Sequence, residues 1–463
     1  MSVASKAPVP SSPRENAPRR GVILRTPIPG PEGSKIVSLD NKYIMTSTKA
    51  APVVARKAEG VWVTDVDGNR LLDFTSGVGV VSTGHCHPDV VAAVQRQASQ
   101  LMHFAGTDFY YESQAVLAER LAKSAPGPSP KKVFYTNSGT ESVEAAVKLA
   151  RWNTQRPITL GLVGAFHGRT MGALTMTSSR PVQRRRFLAY AGGGFHIPAP
   201  YCYRCPYKME YPSCGLYCIK ILDELYFNTI LPPEDVAAFL AEPVLGEGGY
   251  IIPPKDYFTE AQKILKPHGI LHIADEVQSG VGRTGKMWAI ENFNVVPDVL
   301  ALAKGIGSGL PIGAIIADAK LDYTYQGAHS NTFGGNLVAV AAAHATLDVL
   351  EREHLMANAV RQGAHLVQRL KELQAKYDVI GDVRGLGLMV ATEFVKDRTT
   401  KEPVPKFRDE VEKQAYQRGL LLLGCGRSAL RYIPPLVVKE EHIDEAVEIL
   451  DGAIGAALKN VNL

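Results

Sequence analysis

The chain has 463 residues, 45% of them hydrophobic and 21% charged, a composition that fits one large and one smaller globular domain. The 51 Lys and Arg against 46 Asp and Glu leave a net charge of +5. That excess is too small to argue for nucleic acid, and no apolar stretch reaches the roughly 18 residues that span a bilayer.

Residues 1–35 are rich in Pro, Ser, Arg and Gly, as in Ala7-Pro-Val-Pro10 and Pro27-Ile-Pro-Gly-Pro31, with six basic residues against two acidic ones. They lack the apolar core of a secretory signal and read as a flexible tail or an arm on a partner subunit. Residues 36–90 are expected to open a small domain. There Val61–Val66 alternates like a strand and runs into Asp67-Gly68, a hairpin signal. After Pro88, Val91, Val94, Ala98 and Leu101 recur at helical steps.

Residues 91–350 read as the large domain. Apolar runs at Lys132–Thr136, Ala237–Ala241, Gly269–Ala274, Val299–Ala303 and Ile312–Ala317 are separated by helical sequence. Such a pattern predicts a mostly parallel sheet covered on both faces, an α/β fold. An insert at 200–220 carries four cysteines, Cys202-x2-Cys205-x8-Cys214-x3-Cys218. Four thiolates can hold zinc or an iron–sulfur cluster, but the spacing fits neither the usual zinc ribbon nor a ferredoxin run. No metal ligand is assigned, and packed free thiols are the plainer reading. A helix is predicted over Leu337–Gln374. Residues 351–463 close the small α+β domain, with strands in Val379–Val390 and Leu420–Val438 and a last helix carrying Ile443, Val447, Leu450 and Ile454 on one face.

In an open parallel sheet, ligands bind beyond the carboxyl ends of the strands. Thr136-Asn-Ser138-Gly139-Thr140-Glu-Ser142 joins a strand to a helix, and a glycine turn at a helix start cradles phosphate. Phe166-His167-Gly-Arg169 offers a ring to stack on a planar group and an arginine for a carboxylate. Glu242 ends an apolar strand and leads into Gly246-Glu247-Gly-Gly249. Asp275 ends another, in Asp275-Glu-Val-Gln278-Ser-Gly-Val-Gly-Arg283. Lys304 follows a third, 29 residues beyond Asp275, and Asn331-Thr332-Phe-Gly-Gly adds a hydroxyl. A lysine and an aspartate at buried strand ends are what pyridoxal phosphate (PLP) chemistry requires: an amine to bind the aldehyde, and a carboxylate to keep the pyridine nitrogen protonated.

With these motifs in this order, the chain resembles the class III, ornithine/4-aminobutyrate-like, aminotransferases of PLP fold type I, from about Ile36 to the C-terminus. The resemblance implies a mostly parallel sheet in a large domain, with a smaller α+β domain built from both chain ends. It implies that Lys304 carries PLP, that Asp275 pairs with the ring nitrogen and that Gln278 meets the ring hydroxyl. Ser138, Gly139 and Thr140 would hold the phosphate and Phe166 would stack on the ring, with His167 and Glu242 beside it. Thr332 would reach the neighbouring subunit's cofactor, making the active unit a cytoplasmic homodimer, with a tetramer left open.

The resemblance also gives a carboxylate role to Arg169 and a switchable ion pair to Glu247 and Arg431. Val78 stands where 4-aminobutyrate enzymes carry a branched aliphatic residue. The activity implied is transfer of the amino group of an ω-amino acid, 4-aminobutyrate first, to 2-oxoglutarate. Two alternatives stand beside it: an ornithine or acetylornithine aminotransferase, and an amino-acid racemase or epimerase, since a racemase needs only to reprotonate the same carbanion from the other face. Leu245 departs from the glutamine usual in the Glu-Pro motif.

Overall fold

The computed structural model describes residues 21–187 and 192–463. Its centre is a seven-stranded sheet of Lys131–Thr136 (β4), Ile158–Leu162 (β5), Gly194–Ile197 (β6), Val236–Ala241 (β7), Leu271–Asp275 (β8), Val299–Leu302 (β9) and Gly313–Asp318 (β10), in the order β4-β10-β9-β8-β7-β5-β6. From β9 to β6 neighbouring strands pair parallel, and β10 runs antiparallel to both β4 and β9. Every residue of β7 and β9 is buried, as the unbroken apolar runs require of strands covered on both faces. One face packs under the helix Gly139–Thr154, whose Val143, Ala146 and Leu149 meet Ile273, Ala301 and Ile315. The large core on the other face includes Phe239, Leu300, Ile316 and Val340.

Two four-stranded sheets make the smaller part. The first joins Ala55–Glu59 (β1), Trp62–Asp65 (β2), Arg70–Asp73 (β3) and Leu420–Leu421 (β13). Its β13 pairs parallel with β3, Leu420 opposite Leu72, so both ends of the chain share one sheet. The second is antiparallel, Ile380–Leu386 (β11), Met389–Phe394 (β12), Ala429–Tyr432 (β15) and Leu423–Cys425 (β14). The β2–β3 hairpin forms where Asp67-Gly68 signals it, with Asp65 Oδ1 accepting from the N–H groups of Asp67 and Asn69.

Three features differ from the sequence reading. The expected flexible tail is placed from residue 21 onward: Ile23 bridges Arg70, and a helix runs Pro31–Tyr43. Proline does not break it, because Pro31 occupies the first turn, where no N–H bond is lost. The Asp67 carboxylate accepts from the N–H groups of Glu32 and Gly33. Gly30 fits there only because it lacks a Cβ, which would stand 2.4 Å from Asp67 Cγ. Residues 1–20 lie outside the described residues. The single helix expected over Leu337–Gln374 is two, Leu337–Arg352 and Leu355–Lys376, separated where His354 turns left-handed at φ 52°. Strands β5 and β6 were not expected at all. Among the described residues no helix is long and apolar enough to cross a membrane.

Gly363 lies inside the helix Leu355–Lys376, against the turn at Gly387 between β11 and β12. Alanine normally strengthens a helix over glycine by about 0.5–1 kcal/mol. Here its Cβ would stand 2.0 Å from the Gly387 carbonyl oxygen. Gly363→Ala is therefore expected to destabilise by roughly 1–3 kcal/mol, read as a fall in Tm by calorimetry; a rise would show that the turn yields freely.

Candidate active site

Parallel pairing of β7, β8 and β9 puts their carboxyl ends side by side, Ala241 opposite Ala274 and Asp275 opposite Ala301. The next polar groups along these strands, Glu242, Asp275 and Lys304, therefore reach one edge of the sheet. They open into a cavity of about 1280 Å³ between the large sheet and the smaller part. Its walls include Val78, Ser138, Gly139, Thr140, Phe166, His167 and Arg169. Glu242, Glu247, Asp275, Gln278, Lys304 and Arg431 complete the set. Of the residues singled out in the sequence only Thr332 is absent from these walls; it is exposed at the surface of its own chain.

Asp275 is 3% exposed. Its Oδ2 lies 2.7 Å from His167 Nδ1, and its Oδ1 accepts from the Val277 N–H at 3.0 Å. An ionised carboxylate only accepts, so the proton of this contact sits on Nδ1. His167 Nε2 is then left buried without a partner, as is Gln278 Oε1. Glu242 accepts from the N–H groups of Phe166 and Gly246, each at 2.8 Å. Burial pushes the Glu242 carboxyl up to about 7, and the nearby Asp275 adds to the rise while His167 works against it.

Lys304 begins a 3-10 turn after β9 at φ 46°, a left-handed conformation that costs a non-glycine residue of order 1–3 kcal/mol. It keeps part of its surface open to the cavity while its ammonium sits among buried atoms. Burial first, and then Arg431, bring it down to about 8. A second strained run stands opposite: Ser76, Gly77, Val78 and Gly79 all have positive φ, with Val78 at 66°. For a β-branched residue this is an outlier, held in place by Ser76 Oγ, which donates to the Ile433 carbonyl at 2.6 Å.

The anion-binding end is the N-terminus of Gly139–Thr154, capped by Ser138, whose Oγ accepts from the Glu141 N–H. Backbone approach is tight there. A Cβ on Gly139 would meet Val277 at 2.6 Å, and one on Gly168 would meet Thr140 Oγ1 at 2.2 Å. At the far end, Arg431 on β15 is 6% exposed and pairs with Glu247 Oε2 at 2.9 Å. Burial opposes its charge, but Tyr250 and Glu247 hold its guanidinium above the ordinary arginine value. The sequence reading missed Arg180, which takes the other oxygen, Glu247 Oε1, at 3.2 Å. It sits in Ser178-Ser-Arg180-Pro181, where only the helix start at Pro181 is legible. It also missed the wall given by Thr46–Ala50 and by Arg408, Glu412 and Tyr416 of the helix Pro405–Gln417. Arg169 stands over Phe166, its guanidinium carbon 5.8 Å from the ring centre.

A lysine, a buried aspartate, orphaned buried polar atoms and a helix N-terminus around one cavity fit PLP, and with this sheet order they define a PLP enzyme of fold type I. The class-III aminotransferase family model matches residues 43–454, so the chain belongs to that family, whose members depend on PLP. The alanine/serine racemase of Pyrococcus horikoshii is 36% identical over 434 residues, 92% of this chain and 91% of that protein. A 5-aminovalerate aminotransferase of Pseudomonas aeruginosa is 38% identical over 407 residues, 86% of this chain and 92% of its own. A solved (S)-enantioselective omega-transaminase of Thermomicrobium roseum superposes with a TM-score of 0.85 at 32% identity, covering 92% of this chain and 99% of that one.

Lowering of the Lys304 ammonium to about 8 makes it the neutral, nucleophilic lysine at a pH where surface lysines, near 10.4, are charged. In the cofactor-free chain, an amine-selective reagent is expected to label Lys304 with a half-maximal rate near pH 8, and surface lysines only some two units higher. Peptide mass spectrometry across pH reads this directly. A Lys304 profile that follows the surface lysines would show that burial does not hold its proton off.

Proposed function

We propose that the chain transfers the amino group of an ω-amino acid, 4-aminobutyrate first, to 2-oxoglutarate. The Glu247–Arg431 pair carries this reading. With Glu247 closed on it, Arg431 presents no free charge to a donor whose far end is an amine or a short chain. A diacid acceptor offers Arg431 a carboxylate of its own, and Glu247 swings away. Arg180, on the second Glu247 oxygen, provides a place for that carboxylate to turn toward. Arg169 clamps the other carboxylate of the substrate and Val78 limits the chain beside it.

PLP supplies an aldehyde that condenses with an amine and a protonated ring that accepts electrons from the adjacent carbon. Ser138, Gly139 and Thr140 would hold its phosphate, with Thr332 reaching in from the partner subunit. Phe166 would cover its ring, Gln278 would meet its hydroxyl and Asp275, oriented by His167, would hold its ring nitrogen protonated. Lys304 would bind it and, once released, would move a proton at the substrate carbon that bears the amine; an amine near pKa 8 suits a base working near neutrality. Glu242 fixes the loop behind Phe166.

The dimer is supported by an apolar face around Thr332. Phe333 lies tilted against His103 at 5.1 Å, Phe104 stacks on Phe109 at 4.6 Å, and Met102, Phe104, Phe109, Tyr110 and Phe333 are all exposed. A second copy covering this face would bring Thr332 to its cavity. The site of action proposed is the cytoplasm.

Racemisation is the second reading, favoured by the Pyrococcus relative. It needs proton donors on both faces of the carbanion and no acceptor, whereas of the three lysines in these walls only Lys304 stands at the strand ends, Lys49 and Lys413 being exposed, and arginines suited to carboxylates stand with them. In acceptor-free assays L-alanine is expected to keep its optical rotation, while turnover of 4-aminobutyrate requires a 2-oxo acid. Rapid racemisation would promote the second reading.

Asp275→Asn is expected to lower kcat by about 10²-fold, roughly 3 kcal/mol of transition-state stabilisation; near-wild-type steady-state turnover would remove Asp275 from the role. Glu247→Ala is expected to weaken the half-reaction with the amine donor far more than that with 2-oxoglutarate, followed separately by single-turnover absorbance. Equal losses in both would sink the switch.

A further inference from the structure

The four cysteines of the insert are not used by this chemistry, yet Cys202, Cys205, Cys214 and Cys218 all line one small cavity, with Tyr207 and Tyr217 among its walls. Two turns aim them at it. A 3-10 turn over Cys202–Arg204 begins at the first and is capped by the second, Cys205. The second pair spans a turn in which the Tyr217 N–H donates to the Cys214 carbonyl, leading into the helix Tyr217–Ile221 with Cys218 on it. All four are free thiols. From four chain positions over 17 residues, four soft ligands converge on a space walled mostly by apolar and aromatic atoms, where a thiolate without a cation has little to stabilise it.

We propose that Cys202, Cys205, Cys214 and Cys218 ligate a metal centre, zinc or an iron–sulfur cluster, that clamps the insert onto the smaller part of the protein. A zinc ion with Zn–S bonds of about 2.3 Å sets its sulfurs roughly 3.8 Å apart. No three of these sulfurs lie within 4.8 Å of one another. A single zinc therefore needs more than one of these side chains to turn about χ1. A four-iron cluster spaces its thiolates more widely than one zinc does, since each binds a different iron. Zinc binding releases the thiol protons and consumes no oxidant; an iron–sulfur cluster keeps that balance when it arrives preassembled and exchanges its carrier's thiolates for these four.

The neighbourhood says what the clamp would hold. Tyr201, one residue before Cys202, donates its hydroxyl to Glu393 on β12, and Arg204 pairs with the same carboxylate. Arg384 reaches Glu393 at 2.9 Å and donates to the carbonyls of Gly249 and Tyr250, beside Glu247. The insert is thus tied, through Glu393 and Arg384, to the loop that faces the cavity.

The test uses the full chain with PLP bound, purified anaerobically without chelator. Elemental analysis with acid-labile sulfide determination is expected to find either about one zinc per chain without sulfide, or iron with matching sulfide, which distinguishes the two. The four thiols are expected to resist N-ethylmaleimide until the metal is stripped, and stripping is expected to lower Tm by several degrees. Cys202→Ser/Cys214→Ser should lose the metal while keeping the visible absorbance of bound PLP. If that variant fails to fold, thiol protection in the wild-type chain decides. Absence of zinc and iron after reconstitution with zinc or with a preassembled iron–sulfur cluster would overturn the proposal. So would full alkylation of the native chain, or metal retained undiminished by the double variant.

Discussion

Everything at the cavity depends on one buried charge. An isolated carboxylate at the depth of Asp275 would cost several kcal/mol or take up a proton. The His167 ring and the Val277 N–H offset that cost on one side, and the cavity supplies the other. Glu242, one strand over, is pushed up to about 7 partly by the same charge. Two neighbouring carboxyls are thereby set apart: burial, with the charge beside it, makes Glu242 hold its proton more firmly than an ordinary carboxyl. The arrangement follows from the register of three parallel strands, because a shift of one residue in β8 would turn Asp275 to the opposite face.

The smaller part of the protein contributes reach rather than depth. Arg431 arrives on a strand whose partner, β12, carries Glu393. That carboxylate gathers Tyr201, Arg204 and Arg384. Arg431, paired with Glu247, and the anchor of the cysteine insert therefore stand on adjacent strands of one sheet. Motion of that sheet against the large domain would move both together.

What was legible in the sequence was whatever burial imposes. The unbroken apolar runs gave β7, β8, β9 and β10, and the polar residues beyond the carboxyl ends of β7, β8 and β9 marked the cavity edge. Strand β5, Ile158-Thr-Leu-Gly-Leu162, hides its run behind a threonine and a glycine, and β6 is a four-residue edge strand with a histidine in it. Neither carries the period that would reveal it. The break at His354 leaves no composition signal, because Arg352-Glu-His-Leu355 reads as continuous helix and the stop is a single left-handed residue. Arg180, Arg408 and Glu412 look like ordinary solvated charges along the chain; only the closing of the two parts over the cavity gives them a role. Thr332 was singled out by resemblance, and one chain alone leaves it on the surface.

Val78 holds a consequence for altering this enzyme in the laboratory. Its left-handed backbone stores strain of about 1–3 kcal/mol, in a wall of the cavity, where the proposed function sets it against the substrate chain. Enlarging a binding cavity usually trades stability for space. Glycine at this position would release the strain, against an entropic loss of about 0.5–1 kcal/mol, and would remove the wall at the same time. Directed evolution toward bulkier amines therefore meets at position 78 a change that opens the cavity and leaves the fold no weaker.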